Sequence, residues 1–228
     1  MRARVQNAFE DRDWSAKGKW PVSGKGSTLK HTERLRNALP GLFKKYKVKT
    51  FVDAPCGDWH WMQHVDLDGI EYIGADVSSK IIDANKEQFS GPGRTFLHLD
   101  ITQDPLPEGD IFLCRDCLFH LKTWLRWEFF RNFARSKNRY LLTTVVQTPS
   151  NRNLRNNGNF AAFNPMVEPY NFPKPRVFIA ESSDDLTLAD MSLEVDGFRN
   201  RAACLWSRKQ VADAVKAHDA AQEATAAE

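Results

Sequence analysis

The sequence predicts an α/β fold, a mostly parallel sheet with helices on both faces, and three observations carry that reading. Short runs of β-branched and aromatic residues recur at about 50–54, 71–75, 94–99, 110–115 and 140–146. Segments of helical spacing separate several of them. The runs also end in acids and turns, as strands do when their carboxyl ends face a ligand.

The elements follow in order. Residues 1–23 are charged and read as loosely ordered, with Trp14 and Trp20 as docking points. Gly24-Lys25-Gly26-Ser27 is flexible, and either a flap or a lead-in to a helix capped by Ser27 or Thr28. Leu29, Thr32, Leu35 and Leu39 keep helical spacing, Pro40 is expected to interrupt, and a further turn carries Leu42, Phe43 and Tyr46. A short helix with Trp61, Met62 and Val65 follows the first strand. Ser78 or Ser79 opens a helix through Phe89, which Gly91-Pro92-Gly93 ends. A helix over about 122–136 carries Trp124, Trp127, Phe130 and Phe133 on one side. Residues 147–176 hold many Pro and Asn and no period, too long for a passive connector; Phe160, Phe163, Tyr170 and Phe172 there are expected to be partly buried. Val177 to Glu181 and Ala202 to Ser207 read as the last two strands, and the Ala-rich tail beyond Asp213 as a frayed helix. The expected organisation is therefore an N-terminal segment over 1–27, one domain over 28–212 with 147–176 as an insertion on the acceptor side, and a tail over 213–228.

The stretch Phe51-Val52-Asp53-Ala54-Pro55-Cys56-Gly57-Asp58-Trp59 is a strand breaking into a tight turn. The next strand, Glu71 to Asp76, ends in an acid 19 residues after Gly57. Strand, turn, helix, strand, acid is the layout of a nucleoside-binding unit, the acid gripping ribose hydroxyls. The turn lacks the G-x-G-x-x-G pattern through which backbone amides close on a pyrophosphate, which disfavours a nicotinamide dinucleotide. A ligand with a ribose and no phosphate, such as S-adenosyl-L-methionine (SAM), fits better.

On these residues the chain resembles the class I SAM-dependent methyltransferases. Asp53-Ala54-Pro55-Cys56-Gly57-Asp58 is similar to their first motif, Asp76 to their ribose acid, Leu97 to Ile101 to the third motif, and Asp110 to Leu121 to the fourth strand and its exit. Trp59 stands where many members have a third glycine. The resemblance covers about 24–146, is similar in its first motif to a narrower bacterial and phage-like subgroup, and implies a Rossmann-like seven-stranded sheet whose last two strands are antiparallel neighbours. It implies methyl transfer to a small or medium polar acceptor at O or N. Two other classes stay open: a nucleic-acid methyltransferase, which would use the basic clusters at 44–49 and 126–139, and a non-catalytic SAM-binding protein. No N-P-P-Y or D-P-P-Y follows the fourth strand, which weighs against base flipping.

A SAM site has to hold a zwitterionic methionine end, a ribose diol and an adenine. The candidates are Asp53, Ala54, Pro55, Cys56, Gly57, Asp76, Val77, Asp100, Ile101 and Arg115. Asp53 faces the ammonium, the 54–58 turn offers amides to the carboxylate, Asp76 takes the ribose, Val77 and Ile101 sandwich adenine and Asp100 accepts from its amine. His120, leaving the fourth strand, is the first candidate base, and Glu181 the second. His98 is expected in the core and the basic clusters on solvated helix faces.

At 228 residues the chain can bury one core, and its net charge of +3 neither requires nor excludes nucleic acid. Cysteines at 56, 114, 117 and 204 include one C-x-x-C, but no second pair accompanies it, so buried thiols and no metal are expected. No N-terminal apolar stretch precedes the charged first 30 residues, so no signal peptide, no membrane span and a cytoplasmic location are expected.

Overall fold

The computed structural model describes residues 2–10, 12–194 and 200–226. Seven strands form one sheet: β1 Thr50–Asp53, β2 Glu71–Asp76, β3 Arg94–His98, β4 Ile111–Cys114, β5 Tyr140–Val146, β6 Val177–Ala180 and β7 Arg201–Ser207. Their order across it is β3-β2-β1-β4-β5-β7-β6. Strands β1 to β5 pair in parallel, and β7 runs antiparallel to both β5 and β6. The expected mostly parallel seven-stranded sheet is therefore present, with its last two strands antiparallel neighbours. The chain order reverses direction between β1 and β4, and a crevice opens at the carboxyl ends of strands at such a point.

Alternation along the strands feeds two cores. Phe51, Ile111 and Leu113 face one side, where α2 (Leu29–Tyr46) and α3 (Ser79–Phe89) supply Leu35, Leu39, Phe43 and Ile82. Val52, Phe112 and Cys114 face the other, where α4 (Thr123–Arg135) and α5 (Arg208–Ala226) supply Leu125, Phe129, Phe133 and Val211. The remaining helix, α1, spans Arg2–Glu10.

Four expectations need correction. Pro40 does not interrupt α2, which runs unbroken for 18 residues. Burial of Leu35, Leu39, Leu42 and Phe43 outweighs a proline cost of about 3 kcal/mol. Trp124 leaves the α4 core face and is 45% exposed, because α4 buries Leu125 and Phe129 instead. His98 is exposed, not core, its Nε2 meeting the Val77 carbonyl oxygen at 2.9 Å. The described residues of the N-terminal segment include helix α1 and make several hydrogen bonds to the sheet domain, given below. The C-terminal tail is also continuous with the body: α5 crosses residue 213 without a break, His218 stacks on Trp127 at 3.8 Å and Arg131 pairs with Asp219.

Arg126 is a further correction. It belongs to a basic cluster in sequence, yet it is 0% exposed. Its Nε donates to the carbonyls of Leu118 and Leu121, both at 2.8 Å, its Nη1 to the Tyr170 hydroxyl, and the guanidinium lies over Phe163. It thereby ties the turn after β4 to α4 and to the segment after β5. Replacing Arg126 by Ala strands the buried Leu121 carbonyl, at about 1–3 kcal/mol, and leaves that of Leu118 with the Leu121 N–H alone, so urea unfolding should show a loss of about 2 kcal/mol or more. A change within about 0.5 kcal/mol would return Arg126 to the surface role its sequence context suggests.

Candidate functional site

A cavity of about 570 Å³ opens at the carboxyl ends of β1, β2 and β4. Its lining includes Asp53, Gly57, Asp76, Asp100, Arg115 and His120. The turn after β1 builds its floor. Ala54 N–H donates to the Leu113 carbonyl at 2.9 Å, Cys56 N–H to the Ala75 carbonyl at 2.8 Å, and Gly57 N–H to Asp76 Oδ2 at 3.1 Å. These three amides are consumed by the sheet, so the turn does not offer them to a ligand carboxylate as expected. Gly57 has φ of +55° and packs so closely on Ser23 that a Cβ there would lie 2.6 Å from the Ser23 Cβ. Trp59 has a left-handed backbone, with φ of +55°, a conformation that favours glycine. Its ring is buried against Phe89 (4.9 Å), Tyr72 (5.7 Å) and Phe96 (5.8 Å), which offsets strain of about 1–3 kcal/mol.

The three acids occupy different chemical settings. Asp53 is buried, accepts from the Tyr72 hydroxyl at 2.8 Å, and burial raises its pKa to about 7. Asp76 accepts from Gly57 N–H on one oxygen and Ser78 N–H (2.9 Å) on the other. Each oxygen retains a second lone pair. Burial raises the Asp76 pKa, and those two amides pull against it. Asp100 closes its own turn: Oδ1 accepts from the amide and hydroxyl of Thr102, and Oδ2 from Gln103 Nε2. Val77 and Ile101 also line the cavity.

The exit of β4 carries a charged network. Arg115 donates through Nε and Nη2 to the two Glu181 oxygens at 3.0 and 3.2 Å. Its Nη1 reaches the Gly26 carbonyl at 3.0 Å and lies 3.3 Å from Asp116. Burial would push the guanidinium pKa down, but Asp116 and Glu181 outweigh it and hold it up. Asp116 in turn accepts from Arg201 at 2.8 Å. Arg201 and Asp116 line the cavity; Glu181 lies behind Arg115, outside the lining.

His120 sits in a 3-10 turn over residues 118–120, before α4 rather than on its first residue. Its Nδ1 lies 2.8 Å from the Asn159 carbonyl, so Nδ1 carries the proton and Nε2 keeps its lone pair. Burial lowers the His120 pKa. Trp14, Phe119 and Phe160 surround the ring at 4.7, 4.5 and 6.3 Å between centroids. Of the four aromatic residues of 147–176 expected to be partly buried, Phe160 lines the cavity and is 55% exposed, while Phe163, Tyr170 and Phe172 are core.

The N-terminal segment covers this cavity. Glu10 accepts from Ser79 N–H at 2.9 Å, Arg12 bonds the Gly158 carbonyl and Asn159, and Ser23 Oγ donates to Asp58 at 2.6 Å. Gly26 meets Arg115 and Asp116, where a Cβ would run into the Asp116 carboxylate.

The cavity thus gathers Asp53, Pro55, Cys56, Gly57, Asp76, Val77, Asp100, Ile101, Arg115 and His120, and leaves out Ala54 and Glu181. The Cys56 thiol is pushed up by burial, and all four cysteines are buried and free. Among the described residues no group of three His, Cys, Asp or Glu converges as for a metal ion, and no helix is long and apolar enough to cross a membrane. Tyr72, Arg201 and Ser23 escaped the sequence reading, and Asp58 entered it only as part of the first motif. Tyr72 shows only as a strand aromatic, and nothing local pairs Ser23 with Asp58, 35 residues apart.

No protein-family profile and no curated protein matches the sequence. Solved structures do match in shape. A SAM-dependent methyltransferase of Leishmania major is 9% identical over 90% of this chain and 82% of its own, with a TM-score of 0.64. Magnesium protoporphyrin IX methyltransferase of Synechocystis PCC 6803, with bound S-adenosylhomocysteine, is 14% identical over 91% and 99%, at 0.57. The N-methyltransferase NodS of Bradyrhizobium japonicum WM9 is 12% identical over 80% and 98%, at 0.55. The chain therefore has the Rossmann-like fold of the class I SAM-dependent methyltransferases.

Proposed function

We propose that the chain binds SAM in the cavity at the carboxyl ends of β1, β2 and β4 and transfers its methyl group to a small or medium polar acceptor, at O or N. The observation that carries this is Asp76, buried at the end of β2 with one lone pair left on each oxygen, beside the buried Asp53. A vicinal ribose diol supplies the two donors that Asp76 lacks. Asp53 accepts a hydrogen bond only from the Tyr72 hydroxyl and feels the Arg115 charge at a distance, so an ammonium supplies the direct cationic donor that its buried carboxylate can take. Arg115, paired with Glu181 and Asp116, keeps one Nη2 hydrogen for a ligand carboxylate, in place of the turn amides. The volume fits a ligand of cofactor size, since such pockets run from about 300 to 1,000 Å³.

When bound, SAM supplies an activated methyl on a sulfonium and leaves as a neutral thioether. The protein's tasks are alignment, exclusion of water and removal of the acceptor's proton. His120 is assigned the last task, because Asn159 fixes its tautomer and burial keeps it neutral. Glu181 is reassigned from base to positioning residue for Arg115, since both its oxygens receive the guanidinium. Phe160 and Trp14 wall the acceptor, and Glu10 and residues 12–26 cover the site. The 147–176 segment therefore acts through Phe160 and through Asn159. The first motif's likeness to a narrower bacterial and phage-like subgroup is part of this reading.

Three measurements test it. Calorimetry should show SAM binding that Asp76→Ala weakens by about 1.5–3 kcal/mol for each hydrogen bond lost. Unchanged affinity would remove Asp76 from the site.

Asp53 has to be ionised to pair with an ammonium, and its pKa stands at about 7. SAM affinity should therefore rise as pH passes upward through about 7, and Asp53→Asn should abolish the rise. In the free protein the sign is opposite. The folded state holds the Asp53 proton more tightly than the unfolded one, so this group's stability contribution falls from about pH 4 to 7. Affinity independent of pH in the native chain would refute the pairing.

With an acceptor in hand, His120→Ala should lower the methyl-transfer rate at least about tenfold, with SAM affinity nearly unchanged. The native rate should fall on the acid side, below the usual histidine range near 6.5, because only neutral His120 accepts a proton. Native turnover in the variant would leave His120 a packing residue.

A further inference from the structure

The amino ends of the strands carry a second feature, on the face opposite the cavity. A cleft of about 260 Å³ lies there, lined by Lys137, Arg139, Tyr140, Arg176, Ser207, Arg208 and Lys209. Its place follows from the register: Tyr140 opens β5 and pairs with Ser207, which closes antiparallel β7, and Arg176 precedes β6. Five of its seven lining residues are cations and none is an acid. Lys137 pairs with Glu108 and Lys209 with Asp213 at exposed positions where such pairs hold weakly, and Arg139 pairs with the half-buried Asp110. Arg176 and Arg208 are exposed and have no carboxylate partner among the described residues.

The cleft continues into the lysine run at 44–49. Tyr46 packs edge-on against Tyr140 at 4.8 Å, with the Lys45 ammonium over Tyr46 and the Arg139 guanidinium over Tyr140. Lys49 N–H and Arg139 share the Asp110 carboxylate. One face thus concentrates cations in a chain whose net charge is only +3. Segregation of this kind makes a field that draws polyanions.

We propose that this cleft is a docking site for the phosphodiester backbone of a single-stranded nucleic acid, separate from the SAM cavity. The concave shape and the spacing of cations around a cleft match a strand of phosphates better than a flat lipid surface. Guanidiniums on Arg176 and Arg208 match phosphate oxygens in fork geometry. The two tyrosine rings are engaged with each other and covered by cations, which leaves no platform for stacked bases. Binding is therefore insensitive to sequence and strongly dependent on salt.

The test is fluorescence anisotropy with the full chain and a labelled single-stranded RNA of about 20 nucleotides, with the matching DNA as a second probe. At about 50 mM salt binding should saturate, and the plot of log affinity against log salt should have a slope of about −2 to −3.5, as for three to five neutralised phosphates. The double variant Arg176→Glu/Arg208→Glu should bind at least about tenfold more weakly, with a flatter slope and unchanged SAM affinity. Lys137→Glu/Lys209→Glu gives an independent check should the first variant fail to fold, judged by its thermal melt. Equal RNA affinity in a folded variant and the native chain overturns the proposal. So does an absence of saturable binding, or affinity for polyglutamate or phosphatidylserine vesicles equal to that for RNA.

Discussion

The hydrogen bond from Gly57 N–H to the Asp76 carboxylate joins the turn after β1 to the end of β2, and the rest of the site is arranged around it. A buried carboxylate is costly unless donors meet it. Gly57 and Ser78 meet Asp76 with one amide each, which keeps the charge in place, and the acid lines the cavity. The same geometry demands a left-handed residue without a Cβ at position 57, because Ser23 of the covering segment rests on it. Asn85 holds the other side of that peptide by donating to the Gly57 carbonyl at 2.8 Å. Floor, acid and cover are thus set by one residue's backbone.

Charge pairing organises the second half of the site. Arg115 is buried, and a buried guanidinium needs its donors met. Glu181 from the end of β6, Gly26 from the N-terminal segment and Asp116 beside it meet them, and Arg201 extends the chain of charges. The antiparallel β7 and β6 earn a structural explanation here: they bring Arg201 and Glu181 to the carboxyl end of β4. The N-terminal segment is held over the cavity by contacts to Ser79, Asp58 and Asn159.

The sheet was legible in the sequence because it rests on local signals. β-branched runs ending in acids located β1 to β5, and the spacing between Gly57 and Asp76 picked out the acid that ends β2 and lines the cavity. What was not legible depended on partners distant in the chain. Pro40 reads as a break until the burial of α2 is known. Arg126 reads as a surface charge until the carbonyls of Leu118 and Leu121 are seen to need it. Ala54, Cys56 and Gly57 read as an amide cradle until their N–H groups are found committed to the sheet. Glu181 reads as a base until both its oxygens are found on Arg115. Side-chain chemistry names candidates, and long-range hydrogen bonding then assigns their roles.

The central claim is that the cavity between β1, β2 and β4 is a SAM site anchored by Asp76. A crystal structure with S-adenosylhomocysteine tests it most directly. The account predicts the ribose diol on the two Asp76 oxygens, the ammonium within hydrogen-bond reach of Asp53 and the carboxylate facing Arg115. Ligand density elsewhere on the protein, or a ribose turned away from Asp76, would contradict it.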